Sequence, residues 1–269
     1  MNMSHPFYRF YNILFGRKVF YPFNRFLFKL SLRGLGIYNY ENQRASGEKT
    51  FIEKTAKKLE VAFDVGGNVG DYAKEIKQFN KECRVYSFEP HPAAYARLVE
   101  MAKEHAFEAF NFGFGKENGK SNLYDYANTS FSSHASIHPA VIRDIHKGRR
   151  VKYEIEIRTI DAFVEEHGIA KIDLLKIDTE GCEYDILLGA SSVLAARKVN
   201  LIHFEFNEMN VISRVFFRAF FVCSGTSIYI RMLRGSLIRL HEYRPIKNEL
   251  FAYQNTPAVH KSCLSDFVY

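Results

Sequence analysis

The chain is poor in the residues that staple or punctuate unusual folds. Its four cysteines, Cys83, Cys182, Cys223 and Cys263, are far apart and form no Cys-x-x-Cys pair. That spacing excludes the common zinc frameworks, and in a chain of this length it predicts reduced thiols, not a disulfide scaffold. Sixteen glycines and seven prolines in 269 residues are too few for a collagen-like or low-complexity chain. No apolar run reaches the roughly 18 residues that a spanning helix requires. Arg9, Arg17 and Lys18 interrupt any apolar stretch near the start, so no signal peptide is expected and the reading is cytoplasmic. Acid is missing altogether from residues 1–40, which carry Arg9, Arg17, Lys18, Arg25, Lys29 and Arg33. Of the 37 basic residues in the chain, 31 therefore face 30 acids over residues 41–269, and the formal charge of +7 belongs almost wholly to the N-terminal segment. A near-neutral body argues against a domain-wide nucleic-acid footprint.

What is present is an alternation. With 47% hydrophobic residues and 31.2 kDa the chain can bury a sizeable core. Short apolar runs at 61–65, 84–88, 109–114, 151–157, 172–177 and 201–206 predict strands, and amphipathic stretches at 70–79, 91–104, 159–167, 183–196 and 213–221 predict helices. Strands separated by helices of that length imply βαβ units and an α/β fold with a mostly parallel, doubly wound sheet. The 151–157 run alternates apolar and charged residues, which predicts a half-exposed or edge strand. Residues 1–47 read as a basic, aromatic extension and 48–269 as one α/β domain.

The first chemical motif is Asp64-Val65-Gly66-Gly67-Asn68-Val69-Gly70, running from a predicted strand into a predicted helix. Glycines there allow positive φ and close approach of the backbone to a ligand, and a helix N-terminus offers N–H donors. Nineteen residues past Gly70, the next strand ends in Phe88-Glu89-Pro90, where a carboxylate can accept from both hydroxyls of a ribose. The nicotinamide-dinucleotide fingerprint needs a second glycine where Asn68 stands, which disfavours an oxidoreductase. Asp64 just before the turn suits a cationic ligand better than a pyrophosphate, and S-adenosylmethionine carries both an amine and a sulfonium.

Three blocks, DVGGNVG at 64–70, SFEPHP at 87–92 and IDLLKIDTEGCEYDILLGA at 172–190, resemble the FkbM family of S-adenosylmethionine-dependent methyltransferases. Later pieces, HFEFNEMN at 203–210 and ELFAYQN at 249–255, resemble a bacterial branch linked to polysaccharide and lipopolysaccharide-type products. The resemblance implies a Rossmann-like class I methyltransferase fold and, usually, O-methylation. It implies that Asp64, Gly66, Gly67, Asn68 and Gly70 form the methionine-side loop, that Glu89 binds ribose, and that Asp178 and Glu180 lie at the end of the fourth strand. Many class I methyltransferases end the third strand in an acid that touches adenine; here that position reads Asn111-Phe112-Gly113, so backbone contacts are expected instead.

In a doubly wound sheet, ligands lie beyond the carboxyl ends of the strands, where the 172–177 run delivers Asp178. Glu183 reads mainly as a helix-capping acid. Methyl transfer to a sugar hydroxyl needs the acceptor aligned and a base to take its proton. Asp178 and His134 are the candidates for that base, with Glu180 beside them and Ser132 and Ser133 as groups that bind hydroxyls or close a turn. Asp178, Glu205 and Asn207 loosely resemble a magnesium-assisted arrangement, but only Asp178 is firmly placed and no metal is expected. His203 shares a strand face with Glu205.

Residues 20–35 place Phe23, Phe26, Leu27 and Leu30 on one helical face and Arg25, Lys29 and Arg33 on another. Two readings stay open: an amphipathic helix on the inner face of an anionic membrane, or a first helix packed on the core. Together these features predict an O-methyltransferase acting on a saccharide or glycoconjugate. The alternatives are a nucleic-acid methyltransferase and a non-catalytic, membrane-associated binding protein on the same fold.

Overall fold

The computed structural model describes residues 6–40, 42–127, 131–132, 134–145, 150–223, 227–263 and 265; Ser133 lies outside them. In chain order the first helices are α1 (Pro6–Phe15), α2 (Tyr21–Gly34), α3 (Gln43–Ser46) and α4 (Glu48–Thr55). Then β1 (Val61–Val65), α5 (Asp71–Phe79), β2 (Arg84–Phe88), α6 (Pro92–His105) and β3 (Glu108–Phe110) form the first βαβαβ half. Next come β4 (Gly113–Phe114), β5 (Gly119–Tyr126) and β6 (Arg150–Arg158), followed by α7 (Ile160–Glu166), β7 (Ile172–Ile177), α8 (Glu183–Leu188), α9 (Ser191–Ala195) and β8 (Val199–Phe206). The chain continues through α10 (Met209–Ser213), α11 (Phe217–Cys223), β9 (Ser227–Leu233), β10 (Ser236–Leu240), α12 (Pro245–Asn248) and β11 (Gln254–His260).

Among the described residues the main sheet has the order β10-β9-β11-β8-β7-β1-β2-β3. The five strands from β8 to β3 run parallel and the other three antiparallel. The reversal of strand order at β1 creates the switch point beyond the strands' carboxyl ends where a ligand can enter. Period-two alternation sends Phe63 and Val65 of β1 into one core with Phe88, Phe163, Leu175 and Ile177. Ala62 goes to the opposite face, where it packs with Phe51, Ile52, Ile76 and Leu174. This is a doubly wound α/β architecture.

Several predicted elements change where tertiary contacts intervene. The 109–114 run is two strands: β3 closes the main sheet, and β4 belongs to a second sheet of order β4-β6-β5. Asn111 makes the break by donating its side-chain amide to the carbonyls of Glu89 and Pro90 at 2.9 and 3.3 Å. The alternating 151–157 run is β6, half-exposed as its alternation predicts but central in that small sheet and not an edge; β5, its antiparallel partner, was not foreseen. The predicted 183–196 helix is broken at Gly189, where a side chain would sit 2.0 Å from the Gly115 carbonyl. Similarly, Arg214 with φ of 58° separates α10 from α11 within the predicted 213–221 helix.

Residues 20–35, for which core packing and membrane contact were both open, bury little against the sheet. Farther along, Ile37, Phe51 and Ile52 are fully buried. By contrast α1 buries no residue and α2 only Leu32. No helix among the described residues is long and apolar enough to cross a membrane.

Candidate active site

A cleft enclosing about 810 Å³ of empty space opens at the switch point, between the ends of β1, β2 and β7 and the inner face of the small sheet. One wall is the β1–α5 turn. Gly66 has φ of 77°, and a side chain on it would meet the Asp178 carbonyl at 1.9 Å, so only glycine lets the turn pass beneath β7's end. The amides of Gly66 and Gly67 both donate to the Phe88 carbonyl at 3.0 Å. Those two donors, expected to be free for a ligand, instead tie the turn to β2.

Glu89 completes this wall. Its Oε2 accepts from the Asn68 amide at 2.9 Å and its Oε1 from the His91 amide at 2.7 Å. A carboxylate has about four acceptor sites, so two remain for ligand hydroxyls. Burial pushes the Glu89 carboxyl up to about 7, against the two backbone N–H groups that favour its charged form. The buried amide oxygen of Asn68, also on the cleft wall, has no hydrogen-bond partner. A wall with a fixed carboxylate and an unsatisfied buried acceptor fits a donor carrying ribose hydroxyls and an amine.

Asp64 does not stand where the sequence places it. It is fully buried beneath the turn and does not line the cleft; Gly67 and Gly70 are also off the wall. In register across four strands lie Ser87, Asp64, Lys176 and His203. Ser87 donates to Asp64 at 2.9 Å, and the Lys176 ammonium sits 3.1 Å from Asp64 and 3.5 Å from Asp178. Burial pushes the Lys176 ammonium down, yet the carboxylates of Asp64, Asp178 and Glu48 together hold it above the usual lysine range. Asp64 thus answers a lysine of the protein, and its charge is spent before a cationic ligand arrives. Lys176 was visible in the sequence only as a lone polar residue in an apolar run. His203 is buried and bonded to the Tyr72 hydroxyl at 2.9 Å, and burial lowers its imidazole to about 3.

The opposite wall gathers residues remote in sequence. Asp178 lines the cleft with its side chain 42% exposed. Glu180, at φ of 55°, also lines it and meets His134 Nδ1 at 2.9 Å. That hydrogen bond holds the His134 imidazole above its ordinary 6.5. Ser132 and Ser136 are each anchored. Ser132 donates through its amide and hydroxyl to buried Asp125 at 2.8 and 2.5 Å, and Ser136 donates to the Glu180 carbonyl at 2.8 Å. Asp125 was not singled out from sequence, since it sits unremarkably in an alternating strand. Glu183 accepts from the amides of Thr179 and Gly181 at 3.0 and 3.1 Å and so braces the loop that presents Asp178 and Glu180.

Asn207 Oδ1 accepts from the Met209 amide at 2.8 Å, and its amide nitrogen donates to Glu205. It therefore serves the start of α10, and no metal-binding cluster of His, Cys, Asp or Glu is found among the described residues.

The fold and cleft define a class I methyltransferase. The sequence matches the Methyltransferase FkbM domain over residues 64–219, more than half of the chain, and the protein belongs to that family. It is an S-adenosylmethionine-dependent methyltransferase.

Three curated relatives are similar to it. Methyltransferase 1 of Beauveria bassiana is 26% identical over 176 residues, covering 56% of this chain and 70% of that protein. The 2-O-methyltransferase NoeI of Sinorhizobium fredii is 23% identical over 159 residues, covering 56% of this chain and 65% of the relative. The hexuronic acid methyltransferase AglP of Haloferax volcanii is 26% identical over 164 residues, covering 59% of this chain and 62% of the relative. The match thus spans less than two thirds of the last two proteins. Among solved structures, an rRNA methylase from Streptococcus thermophilus superposes with a TM-score of 0.43 at 9% identity, over 82% of this chain and 99% of that one.

Proposed function

We propose that the protein methylates a hydroxyl of a saccharide or glycoconjugate. The observation that carries this reading is the His134–Glu180 pair, 2.9 Å apart, of which Glu180 lines the same cleft as Glu89. A hydroxyl is a poor nucleophile until a base takes its proton, and an imidazole steadied by a buried carboxylate does that work near neutral pH. The names of NoeI, a 2-O-methyltransferase, and AglP, a hexuronic acid methyltransferase, support the same acceptor class.

In this reading S-adenosylmethionine supplies an electrophilic methyl group. Glu89 binds the donor's ribose hydroxyls, Asn68 gives its unpartnered amide oxygen to the donor, and Gly66 allows close approach. Asp64 is a positioning residue: it holds Lys176, which in turn sets Asp178. His134 takes the acceptor's proton, Glu180 steadies the imidazolium, and Asp178 orients the acceptor through its exposed carboxylate. The small sheet, with Leu123, Ile155 and Ile157 on the cleft, keeps water from the reacting centre.

The test compares surface glycans from a wild-type and a deletion strain by mass spectrometry, together with turnover of the purified enzyme on the unmethylated glycan. A glycan lighter by one methyl group in the deletion strain, and methylated in vitro by the enzyme, is the expected result. Unchanged glycans alongside methyl transfer to RNA would overturn the acceptor assignment.

A further inference from the structure

The N-terminal helices form a unit of their own. The Tyr11 hydroxyl donates to Asn24 Oδ1 at 2.6 Å, Asn24 Nδ2 donates to the Phe15 carbonyl at 2.8 Å, and the Phe15 ring packs on Phe20 at 5.1 Å. These contacts close α1 and α2 into a hairpin with little of it laid against the sheet. Large apolar side chains are exposed around it: Phe7, Phe10, Ile13, Phe26 and Phe28, Ile13 at 66%. Arg9, Arg17, Lys18, Arg25, Lys29 and Arg33 are interleaved with them, and no acid occurs in residues 1–40.

The apolar surface continues onto the body. Between α2 and β10 lies a groove of about 1310 Å³ whose walls include Phe28, Leu32, Leu35, Ile238 and Ile246. Ile246 is 84% exposed. Arg239 and Lys247 belong to the same groove, as do Arg244 and Glu242, which pair with each other at 2.6 Å.

Exposed aromatic surface on this scale marks an interaction site, not ordinary solvent-facing helix. Its charge selects the occupant. In a symmetric dimer the same patch meets itself, so a second copy would set six cations against six cations. An anionic bilayer complements those cations and at the same time buries the aromatic rings at its interface. The helices are too short and too charged to cross, which leaves them lying in the plane of the surface.

We infer that the α1–α2 hairpin, with the adjoining α2–β10 groove, docks the enzyme on an anionic lipid surface. This inference stands independently of which acceptor is methylated, since it rests on a surface at the far edge of the sheet from the cleft.

Co-sedimentation of the full chain with vesicles tests it, comparing phosphatidylglycerol-containing with pure phosphatidylcholine vesicles. Binding to the anionic vesicles, weakened by added salt, is the expected result. The triple variant Arg25→Gln, Lys29→Gln, Arg33→Gln should bind about 100-fold more weakly, at roughly fivefold for each basic residue neutralised. Phe26→Asp with Phe28→Asp should abolish co-sedimentation. In both variants S-adenosylmethionine affinity by calorimetry should match wild type, which shows that the body has folded. The proposal is overturned if the wild-type chain binds neither vesicle, or binds both equally with no salt effect. It is equally overturned if sedimentation velocity shows a dimer that Phe26→Asp with Phe28→Asp converts to monomer.

Discussion

On one side of the cleft, Gly66, Asn68 and Glu89 are fixed by backbone hydrogen bonds between adjacent parallel strands and turns. On the other side, His134 and Glu180 meet across 46 positions of sequence through one side-chain contact. The first wall is rigid because its amides are consumed by the protein itself, leaving a few buried acceptors, which the proposed function assigns to the methyl donor. The second is held by side chains on loops, which can be exchanged without disturbing the sheet. A shared donor and a variable acceptor are what such a division of labour suits.

The largest effect should fall on the looser wall. His134→Ala is expected to lower kcat by about 10²–10⁴-fold while leaving donor affinity unchanged in calorimetry. In the wild type, turnover should rise with pH through an inflection above 6.5, because the bond to Glu180 holds the imidazole protonated to higher pH. Loss of donor affinity in His134→Ala would show that the two walls are not separate.

Beneath the rigid wall, Lys176→Ala should destabilise the fold by about 3–5 kcal/mol in urea titration, since it leaves Asp64 buried without its cation. Adding Asp64→Asn to Lys176→Met should recover most of that loss. If the double variant is as unstable as Lys176→Ala, the strand row is held by something other than charge pairing.

Glu89→Gln should weaken S-adenosylmethionine binding by roughly 100-fold, the scale of one or two hydrogen bonds to a charged group. Asp178→Asn is a smaller change, with turnover lowered about tenfold and donor affinity spared. Donor affinity that fell as far as in Glu89→Gln would move Asp178 to the donor wall.

The smallest effect is a pH slope. The Glu89 carboxyl stands at about 7 in the folded protein against an ordinary 4.5. The folded state therefore holds its proton between those values, and the stability from this group is full below 4.5 and is lost as pH rises through 7. Donor binding to the ionised form requires that proton to leave, so affinity should weaken about tenfold for each pH unit below 7. The slope should vanish in Glu89→Gln.

Much of the body was readable from periodicity. β1, β2 and β7 fall where apolar runs of five or six residues predict them, because a strand buried on both faces needs continuous apolar sequence. The antiparallel strands β9, β10 and β11 escaped notice. β9 carries Arg231 and β11 carries Gln254, Asn255 and Pro257, side chains that break an apolar run yet are accommodated because Arg231 donates to Gln254 at 2.8 Å. Glu89 and Asn68 were recognisable because a turn and the strand after it keep a fixed spacing. The pairing of His134 with Glu180 was not, since neither residue's surroundings hint at the other.

Sequence by itself determined the alternation of strands and helices, the glycine turn with its following acid, the family resemblance, and the confinement of net charge to the first 40 residues. All of these are local in the chain, and local spacing is what propensity and periodicity encode. Tertiary structure alone decided that Asp64 is neutralised by Lys176, that β4 and β6 join in a separate sheet, and that the basic helices leave their aromatic side chains exposed. Each of those depends on strand register or on packing between segments far apart in sequence, where the energy lies in contacts that no single stretch of residues contains.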